Sequence, residues 1–189
     1  MKIVNDKIYI ARGETPTYDV KVKDRKTGVP FILPSGLEHP IIEFVVRPSV
    51  YSKGDDFAIK KYLDFTDYPR FDDVSYFPEV PNGVTDADNK PLPGDESKLH
   101  KYARDGETDY YYYTGSEWKK YEFQISFTML YDNTSKLEEK TYKYEVALFG
   151  AEPLYKDETK KEVIGISGIY YKKPLLEATD FIVGGSLSE

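Results

Sequence analysis

Residues 122–131 read EFQISFTMLY, and this stretch decides the fold class. Every second residue is apolar, in the order Phe123, Ile125, Phe127, Met129 and Tyr131. Successive side chains of a β-strand point to opposite faces, so this alternation predicts a strand with one buried and one solvated face.

The same period of two recurs outward from this strand, at residues 17–23, 41–47 and 142–148. Residues 7–12, 57–65, 161–171 and 175–183 also favour strands, whereas no segment predicts a long helix. The 18 Tyr and 10 Phe of the 189 residues suit half-buried pleated surfaces. We therefore predict an all-β protein, an antiparallel immunoglobulin-like β-sandwich of about eight strands.

Residues 66–108 differ in composition from the rest of the chain. They contain five prolines and many aspartates, and they show no sustained alternation. Loops of this length are uncommon inside a compact domain. We predict a β-sandwich built from residues 1–65 plus 109–189, with 66–108 as a long, irregular, Pro/Asp-rich insertion within it.

The search for reactive groups yields no predicted catalytic, cofactor-binding or metal-binding residue. The chain has no Cys, and its two histidines, His39 and His100, are interpreted as ordinary surface residues because no nearby spacing supplies a partner. Residues 86–95 fail the EF-hand pattern, which leaves only an irregular calcium site open. The net charge of −7 disfavours nucleic acid as a partner.

The most distinctive positive feature is the run YYYYTGSEW at residues 110–118. Two aromatic segments flank Thr114-Gly-Ser116, which predicts a β-hairpin whose tyrosines project to both faces. We predict that Tyr111, Tyr113 and Trp118 lie near a protein interface. Filling the sandwich core and stacking on a sugar are the two other interpretations of these rings.

The two ends of the chain resemble a known family. The opening, IYIARGETPTYDVKV at residues 8–22, is similar to the start of the amino-terminal β-sandwich domain of siphophage baseplate upper proteins. The segments YKYEVAL at residues 142–148 and EATDFIVGG at residues 177–185 are similar to the closing strands of that domain. The resemblance covers about the first 65 and last 70 residues, and it implies docking onto a symmetric particle in several copies.

These observations favour a non-enzymatic phage virion structural protein, a component of a baseplate, tail or head decoration. Its expected partners are other virion proteins and further copies of itself, as a homo-oligomer or as multiple copies on the particle, with neither nucleic acid nor membrane. Its expected location is the virion, assembled in the bacterial host cytoplasm. The alternative is a carbohydrate-binding β-sandwich module of a tail or cell-surface protein.

Overall fold

The computed structural model describes residues 2–4, 7–24, 26–52, 55–71, 90–91, 93–104 and 106–185. Nearly all regular structure in these residues is β, which confirms the predicted all-β class. The strands are β1 (Lys2–Val4), β2 (Lys7–Ala11), β3 (Thr17–Lys21), β4 (Pro40–Arg47), β5 (Ile59–Asp64), β6 (His100–Arg104), β7 (Glu107–Tyr113), β8 (Trp118–Lys120), β9 (Gln124–Thr128), β10 (Thr141–Tyr155) and β11 (Val163–Gly184). The single helix in the described part, α1 (Tyr131–Thr134), is four residues long.

Two predicted boundaries were wrong. The alternating stretch at 122–131 forms a strand only as far as Thr128, because Tyr131 already begins the helical turn α1. The two strands predicted at 161–171 and 175–183 are one strand, β11, of 22 residues. Register shifts between β10 and β11 absorb the irregular positions, and Pro174 pairs with Ala147 inside the ladder.

The chain forms two compact units, each made of separate segments. The first unit comprises Met1–Asp19, Glu38–Asp67 and Ser126–Glu189, and the second comprises Val20–Leu37 and Tyr68–Ile125. This division differs from the boundaries expected from composition, which set residues 66–108 apart from a single sandwich. Residues 72–89 of that expected insertion lie outside the described residues.

The first unit contains a six-stranded sheet in the order β1-β2-β11-β10-β4-β5. Its neighbouring strands are antiparallel except β2 and β11, which run parallel with Ile8 opposite Phe181. The expectation of a purely antiparallel sheet was therefore wrong at this pair. No tight turn has to join β2 to β11, because they lie near opposite ends of the sequence, so nothing local imposes an antiparallel direction.

Aromatic rings join this sheet to β3 and β9, which form a two-stranded sheet. Phe127 of β9 stacks on Tyr18 of β3 with ring centroids 5.1 Å apart, and it contacts Phe44 of β4 at 4.4 Å. Phe44 in turn packs on Tyr144 of β10 at 5.6 Å. All four side chains are buried, so this cluster forms the centre of the core of the first unit.

The second unit contains the three-stranded sheet β6-β7-β8 and the irregular segments that precede it. Tyr121 is at the centre of its core, where its ring meets Phe71 edge-on at 5.1 Å. The remaining buried apolar side chains of this unit include Ile32, Leu33, Leu37, Leu99, Tyr110, Phe123 and Ile125.

The buried hydroxyls of Tyr18 and Tyr121 differ in their hydrogen bonding. The Tyr121 hydroxyl donates to the carbonyl oxygen of Phe31 at 3.0 Å. The Tyr18 hydroxyl has no hydrogen-bond partner among the described residues. Burial raises the pKa of both phenols above their usual range, because the ionised form is poorly solvated there.

We predict that Phe127→Ala lowers the free energy of unfolding by about 3–5 kcal/mol, because it removes the ring that joins the two sheets and leaves a cavity. Urea denaturation measures this loss. Tyr51→Ala is the control, since Tyr51 is 87% exposed and its removal should change stability by at most about 0.5 kcal/mol. Similar small losses in both variants would show that the cluster does not organise the core.

Phenylalanine replacements at the two buried tyrosines should have opposite effects. Tyr18→Phe removes a buried hydroxyl without a partner and should raise the free energy of unfolding by about 1 kcal/mol. Tyr121→Phe removes a made hydrogen bond and should lower it by about 1 kcal/mol. The two urea midpoints test this, and a clear loss of stability in Tyr18→Phe would mean that its hydroxyl is satisfied in solution.

Candidate interaction surface

One face of the β6-β7-β8 sheet carries four aromatic side chains. Tyr111 lies opposite Lys120, and Tyr113 lies opposite Trp118 in the antiparallel ladder. Cross-strand partners share a face, as do alternate residues of one strand. We call the set Tyr102, Tyr111, Tyr113 and Trp118 the aromatic face.

The aromatic face is half-buried and its rings meet edge to face. The centroids of Tyr102 and Tyr111 are 6.2 Å apart with the ring planes at 88°. Those of Tyr113 and Trp118 are 5.4 Å apart at 60°. Each ring thus fixes its neighbour while part of its surface stays open to solvent.

A charged pair shares this face with the rings. Lys120 Nζ lies 2.8 Å from Asp109 Oδ1, and Asp109 is the ladder partner of Tyr102. This carboxylate raises the pKa of Lys120 through a side-chain hydrogen bond. The face therefore combines apolar ring surface with one ion pair, and Glu122 adds a second carboxylate at 3.8 Å from the ammonium group.

The opposite face of β7 is part of the core. Tyr110 is 8% exposed, and Tyr112 packs edge-on against Phe71 at 5.9 Å and Tyr121 at 6.3 Å. Two of the four consecutive tyrosines therefore fill the core, and the other two belong to the aromatic face. The strand period of two separates the two roles.

The hairpin turn keeps these strands in register. The Thr114 amide donates to the carbonyl oxygen of Glu117 at 2.9 Å, and the Glu117 amide donates to the Thr114 hydroxyl at 3.2 Å. Gly115 has φ of +93°, a conformation that glycine adopts without the Cβ clash of other residues. The sequence predicted this hairpin, and the structure places Tyr111, Tyr113 and Trp118 together on one face of it.

Sequence reasoning missed Tyr102, which belongs to the aromatic face. It lies on β6, within the segment that composition marked as an irregular insertion. Only the pair Tyr102 and His100, two residues apart, carried any sign of a strand there. A pattern of that length is too short to stand out among prolines and aspartates.

His100 is buried, so its interpretation as a surface residue was wrong. The side chain is 2% exposed, its Nε2 lies 3.0 Å from the carbonyl oxygen of Asp95, and its ring meets Trp118 edge-on at 4.8 Å. A carbonyl oxygen only accepts, so Nε2 carries the proton and donates. Nδ1 is buried without a partner among the described residues, and burial lowers the pKa of His100 below its usual value.

Within the described residues, no group of three His, Cys, Asp or Glu side chains is placed to hold a metal ion. All of residues 86–89, the start of the stretch left open as an irregular calcium site, lie outside them. The part of the chain that the structure describes also contains no helix long and apolar enough to cross a membrane.

No family model, curated protein or solved structure matches this chain. The resemblance of its two ends to the baseplate upper protein domain therefore stays a prediction.

We predict that the second unit loses stability as the pH falls from 7.5 to 5.5. The pKa of His100 is lower in the folded protein than in the unfolded chain, so the unfolded chain binds more protons in this window. The loss approaches at most about 1.4 kcal/mol per pH unit. Fluorescence of the single Trp, which contacts His100, reports urea unfolding directly.

His100→Gln should flatten this pH dependence, because the amide can donate to Asp95 without titrating. His39→Gln is the matched control, since that imidazole is 34% exposed and lies in the first unit. If the stability of wild type and of His100→Gln depends equally on pH, then His100 is not the cause of that dependence.

Proposed function

We propose that this protein is a non-enzymatic structural component of a phage particle, in a baseplate, tail or head decoration, and that it acts through protein–protein contacts. The observation that carries the proposal is the aromatic face of β6-β7-β8. Its expected partners are other virion proteins and further copies of itself, and neither nucleic acid nor a membrane is a partner. The virion, assembled in the host cytoplasm, is its location.

The chemistry of the aromatic face suits a protein partner. Tyr and Trp side chains are enriched where interfaces bind most strongly, because each ring offers a large apolar area together with one polar group. Here the rings are already ordered by edge-to-face contacts, so docking costs little further side-chain entropy. Asp109 and Lys120 supply a polar margin beside them.

Ring orientation favours a protein over a flat polysaccharide. Rings that stack on a sugar chain present their planes toward it, whereas Tyr102 and Tyr111 stand at 88° to each other. Two perpendicular rings cannot both lie flat on one sugar surface. A carbohydrate-binding module remains the alternative function, since a single ring such as Trp118 is enough to stack on one sugar unit.

The segments that carry the family resemblance meet in the sheet of the first unit, which supports the proposal. β2 from the opening segment pairs with the end of β11, and β10 pairs with β11 and β4. The aromatic cluster around Phe127 packs β3 and β9 on this sheet. We propose that this arrangement is an immunoglobulin-like sandwich of the kind the resemblance implies.

Many copies of the protein on a symmetric particle would explain how a small interaction surface gives stable assembly. Linking several weak contacts raises the overall affinity far above that of each one. An aromatic face that is only half exposed supplies a weak single contact. Multiple copies therefore fit this surface better than one isolated partner does.

We predict that Tyr111→Ala and Tyr113→Ala reduce self-association while the fold persists. Sedimentation velocity over a range of protein concentrations measures association, and thermal melting measures the fold. Tyr51→Ala is the matched control, because Tyr51 is exposed and lies outside the aromatic face. Tyr110→Ala is the opposite control, because it should unfold the second unit by truncating a buried ring.

Two results would contradict the proposal. A monomer at every concentration, unaffected by any of these changes, would remove self-association through the aromatic face. Specific binding on a glycan array that Trp118→Ala abolishes would favour the carbohydrate-binding alternative.

A further inference from the structure

An open groove lies along strand β5 in the first unit. Its walls are β5 and the residues that follow it, the end of β9 at residues 126–128, and residues 161–164 at the start of β11. The space between these walls measures about 780 Å³. We call it the β5 groove.

Strand edges border the β5 groove. β5 is the last strand of the six-stranded sheet and β9 is one of only two strands in its own sheet. Among the described residues, β5 pairs with β4 alone and β9 with β3 alone. An unpaired edge presents alternate backbone N–H and C=O groups, which an added strand can bond.

The lining of the β5 groove includes several apolar side chains. Phe57, which is 39% exposed, and Phe127 of the aromatic core both line it. Leu63, Phe65, Val163 and Ile164 complete the apolar lining. A segment whose backbone follows β5 could therefore place every second side chain inside, where its apolar residues would contact these walls.

The acidic groups of the β5 groove are already engaged. Asp64 accepts hydrogen bonds from the Tyr155 hydroxyl at 2.6 Å and from the Thr66 amide at 2.9 Å. Glu162 forms an ion pair with Lys156 at 2.9 Å. Lys156 balances the charge of Glu162, whereas Asp64 keeps its negative charge because its two partners are neutral.

Two lysines of the β5 groove carry unbalanced charge. A third lysine, Lys60, has partners, because its Nζ lies 3.8 Å from Glu43 Oε2 and 4.4 Å from the ring centroid of Phe57. Lys61 and Lys161 line the groove without an ion-pair partner among the described residues. The site is thus locally cationic within a chain of net charge −7.

The side chain of Lys61 points toward the core face although the residue lies on an edge strand. It pairs with Phe44 in the ladder, so its side chain leaves the sheet on the face that carries the aromatic core. Charged residues that point inward are one way to protect an edge from pairing with another strand. The same placement puts an ammonium group where an added strand would present its side chains.

We propose that the β5 groove binds an extended acidic segment of a partner protein, which adds as a strand to β5. The side chains of one face of this strand enter the groove, where its apolar residues contact Leu63 and Phe127 and its carboxylates face Lys61 and Lys161. This site lies in the first unit and does not depend on the aromatic face, so either proposal can fail without the other.

A blocked nine-residue peptide is the probe. Valine and glutamate share the alternate positions that enter the groove, and threonine fills the other positions. Fluorescence anisotropy measures its binding to the full chain. We expect Lys61→Glu and Lys161→Glu to weaken binding about tenfold each. Lys136→Glu, an exposed lysine outside the groove, should leave it unchanged. Thermal melts of all three variants confirm that they fold.

Two altered peptides separate charge from strand addition. Replacing glutamate by lysine should abolish binding, and a central proline, which removes a backbone donor, should weaken it. No binding of the glutamate peptide, or equal binding of the lysine peptide, would overturn the proposal. In that case Lys61 only protects the edge, and Lys61→Ala should cause aggregation instead of lost binding.

Discussion

Phe127 is the residue on which the first unit depends, because its ring stacks on Tyr18 and also contacts Phe44 at 4.4 Å. β9 can place this ring between the two sheets only in one register. A slip by one residue would turn Phe127 to solvent and bury Ser126 or Thr128 in its place. The alternation of residues 122–131 therefore selects both the strand and its inward face.

The alternation of apolar and polar residues predicted the strands that bury one face and expose the other. β4, β9 and β10 follow from it, because burying their apolar sides leaves a single choice of face. Long-range pairing did not follow. β2 and β11 meet in parallel although about 170 residues separate them, and no local pattern encodes a partner at that distance.

The arrangement of the aromatic face also depends partly on local strand geometry and partly on contacts between distant residues. Tyr111 and Tyr113 lie on one face because strand geometry requires it, and the hairpin turn brings Trp118 beside them. His100 looked like a surface residue because its sequence neighbours are polar. Its burial comes from Trp118 and the Asp95 carbonyl, a combination that only tertiary packing creates.

The aromatic face and the β5 groove use different physical forces, so salt distinguishes them. Contacts made by burying ring surface persist or strengthen at high salt, because they do not depend on charge. Contacts between carboxylates and exposed lysines weaken as the screening length falls from about 10 Å at 0.1 M to about 3 Å at 1 M salt. An assembly held by the proposed aromatic face would thus survive high salt, whereas a bound acidic strand would dissociate from Lys61 and Lys161. If both proposals hold, raising the salt concentration would release a charged partner while the copies of the protein stay associated.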